Sequence, residues 1–269
     1  MIELIQGNSW HKMRLIEDNK IDLTVTSPPY DELRTYNGNN EQWNEETWRG
    51  IIEELFRITK KGGVVVWVVG DETKKGSETG TSFKQVLWAM ECGFSLHDTM
   101  IYEKNSTSFP ARKDSNRYTQ IFEFMFILSK GKPFCNLICD KKNKWEGHTN
   151  WGQRSQYDKE GNLNKVENIK PIPEFSPRNN IWKYSVGFND KTGHPAVFPE
   201  ELARDHILTW TKPGATVFDP FLGSGTTGKV AKLLNRNFIG IELDEIYFKI
   251  AQKRINSINA IQNEIEWVE

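Results

Sequence analysis

Ser27-Pro28-Pro29-Tyr30 is the stretch of this chain whose side chains are best suited to chemistry. The residues before it, Ile21-Asp22-Leu23-Thr24-Val25, alternate apolar and polar like a short buried strand. Prolines remove ladder donors and hold each preceding residue extended, so the strand must stop here. The result is a stiff, acceptor-rich corner with a hydroxyl on one side and a phenol ring on the other. Such a corner suits a planar group that carries an amino donor. The plane would stack on Tyr30, and the amino hydrogens would meet Ser27 Oγ and a proline carbonyl. A lone Pro-Pro is more often just a rigid turn, so a second motif has to decide.

That motif is Val217-Phe218-Asp219-Pro220-Phe221-Leu222-Gly223-Ser224-Gly225-Thr226-Thr227-Gly228. It follows a strand over 216–218 and opens a helix over 226–234. Glycines at a strand-to-helix turn let backbone approach a ligand, and the helix N-terminus favours a negative group. A second strand, Asn237-Phe238-Ile239-Gly240-Ile241, ends in Glu242, 23 positions after Asp219. That is the place of the acid that binds ribose hydroxyls in nucleotide-binding βαβ units. Gly223 to Lys229 also satisfies most of a phosphate-binding P-loop, but Val230 stands where a magnesium-binding hydroxyl is needed. A triphosphatase reading therefore ranks lower.

The elements that must position these residues follow from the rest of the chain. Its 269 residues can bury one sizeable core plus a small inserted module. Hydrophobic residues at 37% and charged residues at 26% suit a globular protein. A net charge of -1 confines any nucleic-acid surface to a local patch. Three cysteines without framework spacing, no span-length apolar run and no export-signal pattern fit a reducing cytosol. Short strands are expected over 3–8, 21–25, 64–69, 96–102 and 118–128, with helices over 9–16, 45–59 and 82–92. The strands over 96–102 and 118–128 would pair antiparallel at a sheet edge, and 31–44 and 71–80 read as polar loops. Strands alternating with helices argue for an α/β fold built on a doubly wound, mostly parallel sheet. From 131 to 190 the composition turns to Lys, Trp and Pro without periodicity, so this stretch reads as a loop-rich insert. Residues 1–130 and 191–269 would form the main domain. Over 104–154 there are ten Lys or Arg against four Asp or Glu, interleaved with Trp and Tyr. That pattern suits a phosphate backbone with exposed bases, although a solvated lysine-rich surface is the commoner meaning.

Together, Ser27 to Tyr30 and Asp219 to Thr227 resemble the DNA amino-methyltransferases that use S-adenosylmethionine. With the proline corner first, then an insert, then the glycine turn, the order resembles the permuted β group of that family. His194-Pro195-Ala196 and Phe198-Pro199-Glu200-Glu201-Leu202 resemble the segment that packs beside the methionine end of the cofactor. Gly240-Ile241-Glu242-Leu243-Asp244, with Tyr247 and Ala251, is similar to the ribose-binding strand and its helix.

The resemblance implies a doubly wound methyltransferase fold of the Rossmann-like kind, with the insert as target-recognition region. It implies Ser27, Pro28, Pro29 and Tyr30 as catalytic residues. Asp219, Phe221, Gly223, Gly225, Thr226 and Glu242 would bind the cofactor. Asn8 would touch its adenine, although Gly7-Asn8 departs from the family's commoner Gly-Asp. Double-stranded DNA is the implied partner, with a cognate restriction endonuclease as a further one, in the nucleoid of a bacterial, archaeal or phage-bearing cell. Ser at the first motif position favours N4 of cytosine over N6 of adenine. A nucleic-acid-binding module with an inactive cofactor site, or methylation of protein or RNA, remains the alternative. A cysteine nucleophile finds no support at Cys92, Cys135 or Cys139, and Cys135, Cys139 and His148 are too loosely spaced for a metal.

Overall fold

The computed structural model describes residues 1–29, 43–106, 116–149, 155–165, 170–185 and 199–258. Tyr30, the polar loop that follows it, and the segment from His194 to Phe198 lie outside the described residues. The chain divides into two compact units, residues 1–136 with 180–269 and residues 137–179.

In the larger unit the elements run β1 (Ile2–Gln6), α1 (Ser9–Met13), β2 (Ile21–Thr26), α2 (Glu45–Ile58), β3 (Thr59–Val69), the hairpin β4 (Thr73–Lys74) and β5 (Ser77–Glu78), α3 (Thr81–Glu91), β6 (Ser95–Lys104) and β7 (Phe122–Ser129). The smaller unit carries β8 (Lys141–Lys142), β9 (Ser155–Tyr157), β10 (Leu163–Lys165) and β11 (Phe175–Ser176). The larger unit resumes with β12 (Ile181–Tyr184), α4 (Glu200–Trp210), β13 (Thr216–Asp219), α5 (Thr226–Leu233), β14 (Asn237–Glu242) and α6 (Glu245–Asn256).

Eight strands form one sheet in the order β1-β14-β13-β2-β3-β7-β6-β12. All neighbours are parallel except β7, which runs antiparallel to β3 and β6. Helices α1, α2 and α3 pack on one another on one side, and α4, α5 and α6 succeed one another on the other. The chain winds outward in opposite directions from β2 and β13, so their shared carboxyl end is the topological switch point where open α/β sheets bind ligands.

The core follows from sequence. In α2 the apolar residues Trp48, Ile51, Ile52, Leu55 and Ile58 recur at helical spacing and are buried against Val65, Trp67 and Val69 of β3. Asn44 starts that helix by accepting the Thr47 amide at 3.0 Å. The run Val64 to Val69 is buried throughout, as a strand covered on both faces must be.

Three details differ from the sequence reading. The lysines and glycines from Lys60 to Gly63 end α2 but also belong to β3, where the pairing with β2 shifts register between Ile21 and Leu23. There Lys60 is 2.8 Å from Asp22. The polar loop after β3 holds a two-residue hairpin whose Lys75 and Gly76 both have positive φ, 49° and 80°, as a type I′ turn requires. Strands β6 and β7 pair antiparallel as expected, but the edge belongs to β12, which lies parallel to β6. Its four residues sit among prolines and asparagines, too few to show a period.

The smaller unit is built from two ribbons, β8 with β11 and β9 with β10. The Arg178 guanidinium grips the Asp140 carboxylate, and Asn143 bonds Ser176. Trp145 and Tyr157 are exposed, as are Lys141, Lys142 and Lys144.

Candidate active site

The proline corner begins where β2 ends, and the glycine turn begins where β13 ends. These strands are direct neighbours, with Val217 beside Leu23 and Phe218 beside Thr24. The two motifs, nearly two hundred residues apart in sequence, are therefore brought to one edge. A hydrogen bond joins them: Thr26 Oγ1 donates to Asp219 Oδ1 at 2.7 Å. Thr227 Oγ1, on the first turn of α5, donates to the Val25 carbonyl at 3.2 Å. Ser27, Pro28 and Pro29 continue directly from Thr26, with Pro28 buried and the other two half-exposed.

Asp219 is 2% exposed. It accepts from the Thr26 hydroxyl and, at 3.0 Å, from the Phe221 amide, with the Thr227 hydroxyl close beside it. Burial outweighs these bonds and pushes its pKa up to about 7, with the Glu242 charge adding to the rise. Glu242 closes β14 beside the Gly7 turn. Its Oε2 accepts the Gly223 amide at 2.7 Å and its Oε1 the Asp244 amide at 2.9 Å. Burial raises its pKa too.

Two carboxyl groups thus flank the glycine turn in a place where negative charge is costly. A ligand with a cationic end and a pair of hydroxyls would relieve both, so the residues present fit a charged nucleoside of that kind. Ser9 Oγ donates to the Pro220 carbonyl, fixing the turn from α1. Phe221 is wedged edge-on between Trp43 and Trp67, with ring centroids 5.4 and 6.3 Å away.

The turn itself needs glycine. Gly223 and Gly225 have φ of 51° and 85°. A Cβ at Gly225 would stand 3.0 Å from Ala251 Cβ on α6. The backbone therefore passes close against α6 on one side and is held to Glu242 on another.

Asn8 lies at the carboxyl end of β1, beside β14, and its side chain caps α1 by accepting the His11 amide at 3.3 Å. The Thr226 hydroxyl accepts from Arg254 at 3.2 Å. The P-loop-like Lys229 is committed to Glu200, with Nζ 2.6 and 2.8 Å from its two oxygens. Cys92 ends α3, and burial pushes its thiol up to about 11, which leaves it protonated and a poor nucleophile.

Sequence reasoning gave no individual role to Thr26, Thr227, Ser9 or Arg254, and reached Glu200 only as part of the 198–202 segment that resembles the one beside the methionine end of the cofactor. The threonines read as ordinary β-branched or helix-opening residues. The pairing of Glu200 with Arg254 gave no signal, because the two are 54 positions apart.

A doubly wound sheet with a nucleotide-type glycine turn at its switch point defines the class of α/β proteins that hold a nucleoside-bearing ligand there. Within that class the chain belongs to the N6_N4_Mtase family of DNA methylases, whose pattern matches residues 21–253. It is thus a DNA amino-methyltransferase. It is 51% identical over 261 residues to the orphan methyltransferase M.BamHII of Bacillus amyloliquefaciens, covering 93% of this chain and 94% of that one. Its fold is similar to that of the cytosine-N4-specific PvuII DNA methyltransferase, with TM-score 0.68 and 21% identity over 96% of this chain and 88% of the other. It is also similar to a putative DNA modification methylase of Thermus thermophilus complexed with S-adenosyl-L-methionine, with TM-score 0.64 and 20% identity over 95% of both chains.

Proposed function

We propose that the protein methylates the exocyclic amino nitrogen of a base extruded from duplex DNA, with S-adenosylmethionine as donor and cytosine N4 as the preferred acceptor. The observation that carries this reading is the Thr26 to Asp219 bond, which fastens the acceptor corner to the donor turn across the switch point.

The cofactor supplies a methyl group already activated by sulfonium charge. The protein's part is placement. Ser27 Oγ and the Pro28 carbonyl accept the two amino hydrogens and so expose a lone pair otherwise delocalised into the ring. Pro29 keeps that carbonyl fixed. The exposed lone pair would take the methyl that a bound donor supplies, and the donor would leave as a neutral thioether. The surplus proton departs from nitrogen by way of Ser27 to solvent. Extrusion costs about a few kcal/mol, and stacking on Tyr30 returns roughly 1–3 kcal/mol.

Asp219 receives the cationic methionine end, Glu242 the ribose, and the Gly223 to Gly225 backbone, with Phe221, lines the path between. Thr226 steadies the turn, and Asn8 stands at the adenine end.

Residues 137–179, carrying Lys141, Lys142, Lys144 and Trp145, form the main part of the target-recognition region within the 131–190 stretch. The protein works in the cytoplasm on nucleoid DNA. A restriction endonuclease of the same specificity is the partner such a mark would protect against, although the relative M.BamHII bears the name of an orphan.

Methylated DNA digested to nucleosides and read by mass spectrometry should contain N4-methylcytosine. Methyladenine alone would move the acceptor to adenine N6, the second reading, by the same geometry. Ser27→Ala and Tyr30→Ala should each lower kcat by at least tenfold, and Asp219→Ala should abolish donor binding. Unchanged transfer by Asp219→Ala would overturn the cofactor assignment.

A further inference from the structure

Behind the glycine turn lies a charged cluster to which neither motif assigns a role. Arg254, on α6, reaches the turn with one guanidinium nitrogen. Its Nη1 is 3.3 Å from the Ser224 carbonyl oxygen, 3.0 Å from Ser224 Oγ and 3.2 Å from Thr226 Oγ1. Its other nitrogen, Nη2, donates to Glu200 Oε1 at 2.6 Å. Glu200 opens α4 and also accepts Lys229 of α5. One carboxylate therefore gathers cations from two helices, and one of those cations grips the turn.

The residues it grips are buried. Ser224 and Thr226 are 3% and 5% exposed, so their oxygens would be left buried and unpaired without the guanidinium. Gly225, the N-cap of α5, has no side chain to cap that helix. Ser224 lies between two left-handed glycines, a stretch with several accessible backbone shapes. Glu242 fixes one side of it through the Gly223 amide, and Arg254 is the only described side chain that fixes the Ser224 carbonyl. The need for Glu200 is electrostatic. Arg254 and Lys229 both approach the first turn of α5, where the helix dipole disfavours positive charge, and the shared carboxylate offsets it. With Lys229 holding it from the other side, Glu200 orients the guanidinium.

We propose that Arg254, oriented by Glu200, is a positioning residue for methyl-donor binding: it holds the Gly223 to Thr226 turn in the shape that admits the donor and has no part in methyl transfer itself. This rests on the donor assignment above. On that assignment the turn serves the donor rather than DNA, so the defect on removing Arg254 should be selective.

The test is donor binding by calorimetry, with S-adenosylmethionine and with S-adenosylhomocysteine, alongside steady-state kinetics on duplex DNA. Arg254→Ala should raise the donor Kd and KM by tenfold or more, leave kcat at saturating donor within threefold, and leave the KM for DNA unchanged. Arg254→Lys, which keeps the charge but reaches fewer acceptors, should fall between. Glu200→Gln should raise the donor Kd three- to fivefold, and combining it with Arg254→Ala should add almost nothing.

A donor Kd within twofold of the wild type in Arg254→Ala would overturn the proposal. So would an equal loss in donor KM, DNA KM and kcat, the mark of general damage. If Arg254→Ala fails to fold, Arg254→Lys and Glu200→Gln decide: unchanged donor Kd in both overturns the proposal, and a selective rise supports it. Failure of the wild type to bind either ligand would sink the donor assignment instead.

Discussion

Asp219 holds a carboxyl group where water cannot reach it, and its titration should report that. Its pKa is raised to about 7 from an ordinary value of 3.8. The sign follows directly. The folded state keeps this proton while the unfolded chain releases it, so the stability it contributes is complete below about pH 4 and is lost as pH rises to about 7. The isosteric Asp219→Asn should therefore gain on the wild type between pH 5 and pH 8. Urea unfolding at the two values should show a shift of a few kcal/mol, on the order of 1.4 kcal/mol per unit crossed. Donor affinity should respond too, because a cationic ligand favours the ionised carboxylate over the protonated acid and offsets the neighbouring Glu242 charge. Wild-type affinity should climb toward pH 7 and level off above it, and that of Asp219→Asn should stay flat across the range. At this scale the acid was legible, since Asp-Pro-Phe precedes a glycine turn. The hydroxyls that seat it were not, because Thr26 and Thr227 look like any strand and helix threonine until β2 and β13 are set side by side.

Among the elements, the strand-turn-helix unit from β13 to α5 depends most on a single residue. Gly225 combines a φ of 85° with a Cβ position 3.0 Å from Ala251 Cβ. An alanine there meets a conformational cost of roughly 1–2 kcal/mol before any clash is counted. Gly225→Ala should lower the urea midpoint and weaken donor binding together, whereas Gly214→Ala, with φ of 83° and open space around it, should lower stability and spare the donor. Parallel unfolding and binding measurements on the two variants separate shape at the site from strain alone. Most elements could be read from the chain, because a valine run or a 3.6-residue period is a local signal. Strand β12 could not. Ile181 to Tyr184 is too short to display a period, and its place is set by Trp182, buried in the sheet, and by Tyr184, which bonds Asp205 of α4 at 2.8 Å.

For the whole molecule, the DNA-holding role proposed for residues 137–179 is a matter of charge. With a net charge of -1 the protein needs a concentrated basic surface to hold DNA, and the unit from 137 to 179 exposes Lys141, Lys142 and Lys144 beside Trp145. Reversing all three to glutamate should raise the KM for DNA at least tenfold and leave the donor Kd unchanged. The slope of log K against log salt should flatten by about 0.9 for each phosphate no longer neutralised. The composition shift had marked this region, but with limits of 131 and 190, because lysine, tryptophan and proline content blurs across chain that actually returns to the main sheet at β12.

The Lys229 to Glu200 pair has one more consequence. Gly223 to Lys229 carries the spacing of a triphosphate cradle. An ammonium already neutralised by a carboxylate cannot reach for a γ-phosphate. A polyphosphate would therefore meet no free ammonium at this turn, only the two carboxyl groups of Asp219 and Glu242 beside it.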